Sequence, residues 1–254
     1  MDQRQLGKRG PAVSILGYGA FKIGRNEKTK YGTEYPLPDD ATVSRLLNNL
    51  LDLGINYIDT APAYGLSEQR IGQAISKRRD EFVLSTKIGE DFDHGISTYD
   101  FSRTAIEQSV QRSLKRLQTD RLDLVFIHAA GDDLKILNQT DAVETLLRLR
   151  ATGAIRQIGL SAKTAAGARA SFAWADVIMV EYHLEDQSQE AVIADAAVSG
   201  IGVVVKKALA SGKLSPADGL RFVLCNTAVS TAVIGTLNLE HMRSNLDLVN
   251  GLKS

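Results

Sequence analysis

The chain has 254 residues, about 1.7 domains at 150 residues each, although barrels of alternating strand and helix often fill this length as one unit. Apolar residues at 44% and charged residues at 24% leave ample material for a large core, which excludes a disordered, collagenous or disulfide-dependent chain. Lysine plus arginine and aspartate plus glutamate both total 30, so no net field recruits nucleic acid or an anionic membrane. The single cysteine, Cys225, lies in Phe222-Val223-Leu224-Cys225, where a buried, inert thiol is expected and no intrachain disulfide can form. The first ten residues, MDQRQLGKRG, lack the apolar core of a signal peptide. The longest uncharged run, Phe222 to Leu239, is broken by Asn226, Thr227, Ser230 and Thr231. A cytoplasmic protein without a membrane span is expected.

In chain order, apolar strand-like runs fall at Ile15 to Ala20, Tyr57 to Thr60, Phe82 to Lys87, Leu122 to His128, Ile155 to Ser161, Val177 to Tyr182, Gly202 to Lys206 and Thr231 to Gly235. Their ends recur about every 31 residues, the repeat of a closed (β/α)8 TIM barrel, an α/β fold read here as one domain over 1–254. Helical patterns fill the gaps. Asp39 and Asp40 are cap candidates for Val43, Leu46, Leu47, Leu50 and Leu51, with Gly54 as terminator. Ser67 is expected to cap a helix from Glu68 to Lys77, and Ile106, Val110, Leu114 and Leu117 form the third stripe. Val143, Leu146 and Leu147 give the fourth helix, Val192, Ile193, Ala196 and Ala197 the sixth, and Met242, Leu246 and Val249 the eighth. Weaker patterns cover 162–175 and 216–224. The polar stretch Gly24 to Pro38, with Gly32 and Pro36, reads as a long loop, either a lid or a surface excursion. Residues 89–100, with Asp91, Asp93, His94 and Gly95, allow the same two readings.

Active sites of such barrels sit at the C-terminal ends of the strands. The second strand runs into Asp59-Thr60-Ala61-Pro62-Ala63-Tyr64-Gly65, the third ends in Lys87 and the fourth in His128. Adjacent strands are about 4.8 Å apart, so Asp59, Lys87 and His128 can converge and Tyr64 can arch over them. Taken singly, each has a bland role as turn former, snorkelling cation, packed ring or strand terminus. Together, an acid and an amine at the ends of apolar strands need partners, and each supplies the other.

The combination resembles the aldo-keto reductase family. DTAPAYG matches its DTA-x-x-YG string, with Lys87 in STK and His128 in DLVFIH. Arg112 to Leu117 with Asp120, Asp123 and Leu124 is similar to its SLKRL-x-x-D-x-x-DL segment, and Ile158-Gly159-Leu160-Ser161 to its IG-x-S. The resemblance implies a small-molecule carbonyl substrate and a nicotinamide cofactor, NADP(H) ahead of NAD(H). It implies Tyr64 as general acid, Lys87 as its cationic neighbour, Asp59 as the holder of Lys87, and His128 as the group orienting the carbonyl. An ammonium about 4 Å from the phenol at an effective dielectric near 20 contributes roughly 4 kcal/mol, so Lys87 is expected to bring Tyr64 down toward neutrality by up to about three pK units.

The same resemblance implies cofactor contacts from Gly19, Ala20, Ser161, Ala162, Met179, Lys206, Leu209, Ser211, Thr236, Leu237, Arg243 and Asn245. Several of these depart from the family pattern. Ala162 replaces the Asn after the strand-five Ser, Met179 a Gln, and Lys206 stands where an aromatic ring usually stacks on the nicotinamide. The nearest guanidinium after strand eight is Arg243. His128 is followed by Ala129 and Ala130 in place of the frequent x-Pro. No metal is expected: Lys87 in the same mouth opposes a divalent cation, and His183, with His128 and Asp59, forms no recognisable ligand set. Glu181 and Lys207 read as a rim ion pair. Two alternatives stand beside a reductase: a binding or regulatory barrel with impaired cofactor binding, and a Schiff-base lyase using Lys87. Oligomeric state is not readable from the sequence.

Overall fold

A computed structural model describes residues 1–29, 35–129 and 131–251. The chain opens with a hairpin, β1 (Gln3–Gln5) and β2 (Ala12–Ser14), and then enters β3 (Leu16–Gly19). There follow α1 (Asp40–Asp52), β4 (Tyr57–Asp59), α2 (Ser67–Ile75), β5 (Val83–Ile88), a second hairpin of β6 (Glu90–Asp93) and β7 (Ile96–Tyr99), α3 (Arg103–Leu117) and β8 (Leu122–His128). The second half runs α4 (Asp133–Gln139), α5 (Ala142–Ala151), β9 (Ile155–Ser161), α6 (Ala165–Ala170), β10 (Val177–Glu181), α7 (Glu190–Val198), β11 (Gly202–Lys206), α8 (Pro216–Cys225), β12 (Thr231–Ile234) and α9 (Leu239–Asn250). Eight of these strands close in the order β10-β11-β12-β3-β4-β5-β8-β9, all parallel. The architecture is a (β/α)8 barrel.

Strand periodicity divides the core in two. Inward positions Tyr57, Val83, Leu124, Phe126, Val177, Met179, Val204 and Val233 form one cluster with Leu6 and Val13, which the first hairpin contributes. The alternate residues, such as Ile58, Leu84, Val125, Ile127, Ile178 and Val203, join the larger cluster beneath the helices. Size alternates around the ring: a Cβ on Gly159 would sit 2.9 Å from the Phe126 ring, and one on Gly17 2.9 Å from the Tyr57 ring. Continuing the inward period past this apolar layer puts polar side chains at the C-terminal end. Asp59 follows Tyr57, Ser85 and Lys87 follow Val83, and His128 follows Phe126, while Ser161 follows Gly159 and Lys206 follows Val204.

One local expectation holds and others are corrected. Asp39 caps α1, its carboxylate accepting from Thr42 N. Ser67 does not cap α2: it lies inside the helix, buried, with its hydroxyl donating to Ala20 O and accepting from Thr60. Cys225 is exposed, because Leu220, Val223 and Leu224 occupy the inward face of α8 and the helical period turns the next residue outward. The 89–100 segment, read as a lid or a surface excursion, is built as the hairpin β6/β7, paired Glu90 with Tyr99 through Asp93 with Ile96. His94 and Gly95 take positive φ of 46° and 76° at its tip, as a two-residue hairpin turn requires. In the stretch Gly24 to Pro38, Gly32 lies outside the described residues, as does Ala130. No helix among the described residues is long and apolar enough to cross a membrane.

Candidate active site

The C-terminal mouth of the barrel opens into a cavity of about 860 Å³. Asp59, Tyr64, Lys87 and His128 all line it. Lys87, at the end of β5, is 1% exposed and donates to both Asp59 oxygens at 2.8 and 2.7 Å and to Thr60 O at 2.9 Å. Ser85 Oγ donates to Asp59 Oδ1 at 2.8 Å, which fixes the carboxylate from the adjacent strand. Burial opposes the ammonium, but the Asp59 charge and the Tyr64 hydroxyl outweigh it and hold Lys87 above the ordinary lysine range.

Tyr64 arrives on a short helical turn after β4. Gly65 behind it has φ 59°, and a Cβ there would lie 2.4 Å from Gly24 O, so the turn needs glycine to seat the ring against the loop after β3. The ring lies 4.8 Å from Lys87 Nζ, edge-on to His128 at 6.3 Å between centroids and to Phe21 at 5.1 Å. Tyr64 is not brought toward neutrality. Burial pushes its hydroxyl up, Lys87 pulls it down and Asp59 pushes it up again, and the balance stands at about 12. Desolvation of the phenolate, with the acid on the far side of Lys87, outweighs the cation that the strand spacing places beside the phenol.

The structure adds a residue the sequence reading missed. Glu90, on β6, also lines the cavity and brings Oε2 to 2.9 Å from His128 Nδ1, while Ser97 Oγ donates to Oε1 at 2.8 Å. The His128 contact is at ion-pair distance but off the ring N–H direction, since that nitrogen makes no well-directed hydrogen bond. Burial works against the Glu90 carboxylate, yet His128, Ser97 and Arg25 bring it down to about 2. Burial lowers His128 below its usual range, with Glu90 opposing and Lys87 reinforcing that shift. At pH 7 the pair is therefore a carboxylate beside a neutral imidazole. Arg25 braces the hairpin from the loop after β3, its guanidinium 3.3 Å above the Phe92 ring. The alternation of Glu90 to Asp93 with Ile96 to Tyr99 around His-Gly was the available signal, weakened because His-Gly lies outside the usual Asn-Gly and Asp-Gly turn pairs.

The residues assigned to cofactor contacts divide. Gly19, Ser161, Met179, Lys206, Leu209 and Ser211 line the cavity. Ala20 and Ala162 are buried, although Ala162 O accepts from Lys206 Nζ at 3.0 Å. Thr236, Leu237, Arg243 and Asn245 are not in the cavity wall. Thr236 Oγ1 accepts from Asn238 N, Asn245 is buried in α9, and Arg243 is paired with Glu240 at 3.0 Å. Asn238 caps α9 with its own side chain, accepting from Glu240 N. The loop after β11 is conformationally strained, with Lys207, Ala210 and Ser211 at φ of 57°, 47° and 60°. Glu181 and Lys207 form an ion pair, and His183 is buried with Nε2 3.4 Å from Glu181. Asp133, on the unpredicted α4, accepts from Lys163 N and Thr164 N and so holds Lys163 at the rim.

The lining fits a nicotinamide dinucleotide in charge. In a chain with equal numbers of both signs, eight lysines and arginines among the described residues line the cavity against two carboxylates, Asp59 and Glu90, a field that draws in phosphate-bearing molecules. A closed (β/α)8 barrel with a buried acid and amine beside a half-buried phenol and imidazole at its C-terminal mouth defines a barrel enzyme. Comparison with known proteins narrows the class. The model of the aldo/keto reductase family matches residues 16–220. A D-threo-aldose 1-dehydrogenase of a Pseudomonas species is 31% identical, over 84% of this chain and 70% of its own. The crystal structure of PA4992 from Pseudomonas aeruginosa, provisionally described as an aldo-keto reductase, is 40% identical with a TM-score of 0.91, over 99% of this chain and 95% of that one. An aldo-keto reductase of Bacillus halodurans in its holo form is 28% identical with a TM-score of 0.85, over 98% and 91%. The chain belongs to the aldo/keto reductase family, whose members are nicotinamide-dependent oxidoreductases.

Proposed function

We propose that this chain, acting as one domain, reduces an aldehyde or ketone to the alcohol with NADPH in preference to NADH. Tyr64 delivers the proton. When bound, the reduced nicotinamide supplies the hydride. At pH 7 a phenol held near 12 keeps its proton until negative charge develops on the carbonyl oxygen, and it then gives the proton to a far stronger base. The Lys87 ammonium, clamped by Asp59, lies beside the phenolate left behind and stabilises it in a poorly solvated place. His128 is neutral and presents its ring edge-on to Tyr64, where it orients the carbonyl.

Ser161, Met179 and Lys206 would form the floor under the nicotinamide, with Lys163 and Lys213 among the cations facing the phosphates. The additional phosphate of NADPH suits this surplus of positive charge. The observation that carries the reading is the Asp59–Lys87 pair, 4% and 1% exposed and placed beneath the Tyr64 ring at the cavity wall. Tests with a panel of aldehydes and either cofactor should show NADPH-dependent turnover that falls about 10²- to 10⁴-fold in kcat in Tyr64→Phe. Equal rates in the two proteins would remove Tyr64 from the reaction, and saturable dinucleotide binding without turnover in the parent would favour a binding protein.

A further inference from the structure

Lys206 ends β11, four strands from Lys87 in either direction around the ring. Its Nζ donates to Ser161 Oγ at 2.9 Å and Ala162 O at 3.0 Å, both uncharged acceptors. Among the described residues no carboxylate lies within ion-pair distance of it, and the acid nearest in influence, Glu181, is taken up by Lys207 and His183. The other charged groups acting on it are cations on three sides: Lys163 after β9, Lys87 on β5 and Lys207 beside it. Burial and these cations, with Glu181 only partly opposing, bring the amine down to about 7. A neutral amine has two N–H donors and one lone pair. The two acceptors take both donors and leave the lone pair outside these hydrogen bonds, on a side chain that lines the cavity.

We infer that Lys206 is a second reactive site of this pocket, an amine nucleophile that condenses reversibly with aldehydes entering the cavity. Lys206 Nζ adds to the carbonyl carbon, a C–N double bond forms, and the carbonyl oxygen leaves as water with the two amine hydrogens. No electrons are exchanged. The step is independent of the reductase reading, since it uses neither a dinucleotide nor Tyr64. Lys87 cannot perform it, because it is held as an ammonium with the two carboxylate oxygens of Asp59 and Thr60 O around its nitrogen. The barrel amine open to imine chemistry is therefore not the one that the sequence suggested.

The test uses the purified full chain with propionaldehyde and sodium cyanoborohydride, without nicotinamide. Reduction of any imine leaves a propyl group on the lysine, and peptide mass spectrometry locates it. At pH 7 Lys206 should be labelled at least about tenfold faster than the average surface lysine, because an exposed amine near 10.4 is almost wholly protonated there. Its labelling should be half-maximal near pH 7, and Lys206→Arg should lose that fast phase. All lysines compete in one sample of the parent protein, so the ranking depends on no variant folding. Labelling of Lys206 no faster than the surface lysines, or rising only toward pH 10 as theirs does, would overturn the inference.

Discussion

Two walls of the barrel mouth treat the same side chain in opposite ways. Lys87 and Lys206 both lie at the C-terminal ends of parallel strands, both point inward and both face the cavity. On the β5 wall two carboxylate oxygens and a carbonyl surround the nitrogen; on the β11 wall a hydroxyl and a carbonyl do. Burial penalises both ammonium ions, so the partner decides the charge. Asp59 keeps Lys87 protonated and able to support a phenolate, while Lys206, facing three cations, is poised near neutrality.

The largest effect follows from breaking the first wall. Lys87→Met leaves the buried Asp59 carboxylate unpaired and should cost about 3–5 kcal/mol of stability at pH 7, measured by urea unfolding. Wild-type stability in that variant would mean that the pair is not buried as described. The second wall should respond with the opposite sign. Because the folded-state pKa of Lys206 is depressed, the native protein binds fewer protons than the unfolded chain between about pH 7 and 10.5. The stability deficit is full below that window and is relieved as pH rises through it. Lys206→Met should therefore gain about 2 kcal/mol at pH 6, after discounting for solvent screening, and much less by pH 10. A gain that does not change with pH would contradict the neutral amine.

The smallest expected change concerns the hairpin. Glu90 favours the imidazolium of His128, so Glu90→Gln should move the His128 titration midpoint further down, read by NMR of the ring protons. An unmoved midpoint would show that the 2.9 Å approach has no electrostatic consequence.

The β5 wall was legible in the sequence because its information is local. An apolar period of two carries Tyr57 to Asp59 and Val83 to Lys87, and two adjacent strands bring the acid to the amine. The same period carries Phe126 to His128 and Val204 to Lys206, so the direction of all four side chains follows from strand arithmetic. What a side chain meets there does not. Glu90 reaches His128 only because an unanticipated hairpin folds across the mouth. The direction of the Tyr64 shift depends on how much water the walls exclude. Lys206 read as an odd replacement for an aromatic ring, and only the arrangement of Ser161, Ala162, Lys163 and the Glu181–Lys207 pair around it shows an amine without an acid. Cys225 shows the converse failure: its apolar neighbours suggested burial, and the helical period put it outside.

The most direct measurement is a lysine NMR titration, with ¹³C at the ε carbons, following Lys87 and Lys206 by the resonances that disappear in Lys87→Met and Lys206→Arg. The account predicts a midpoint near 7 for Lys206 and a Lys87 resonance still that of an ammonium at pH 10. Two lysines titrating together above pH 10 would contradict it.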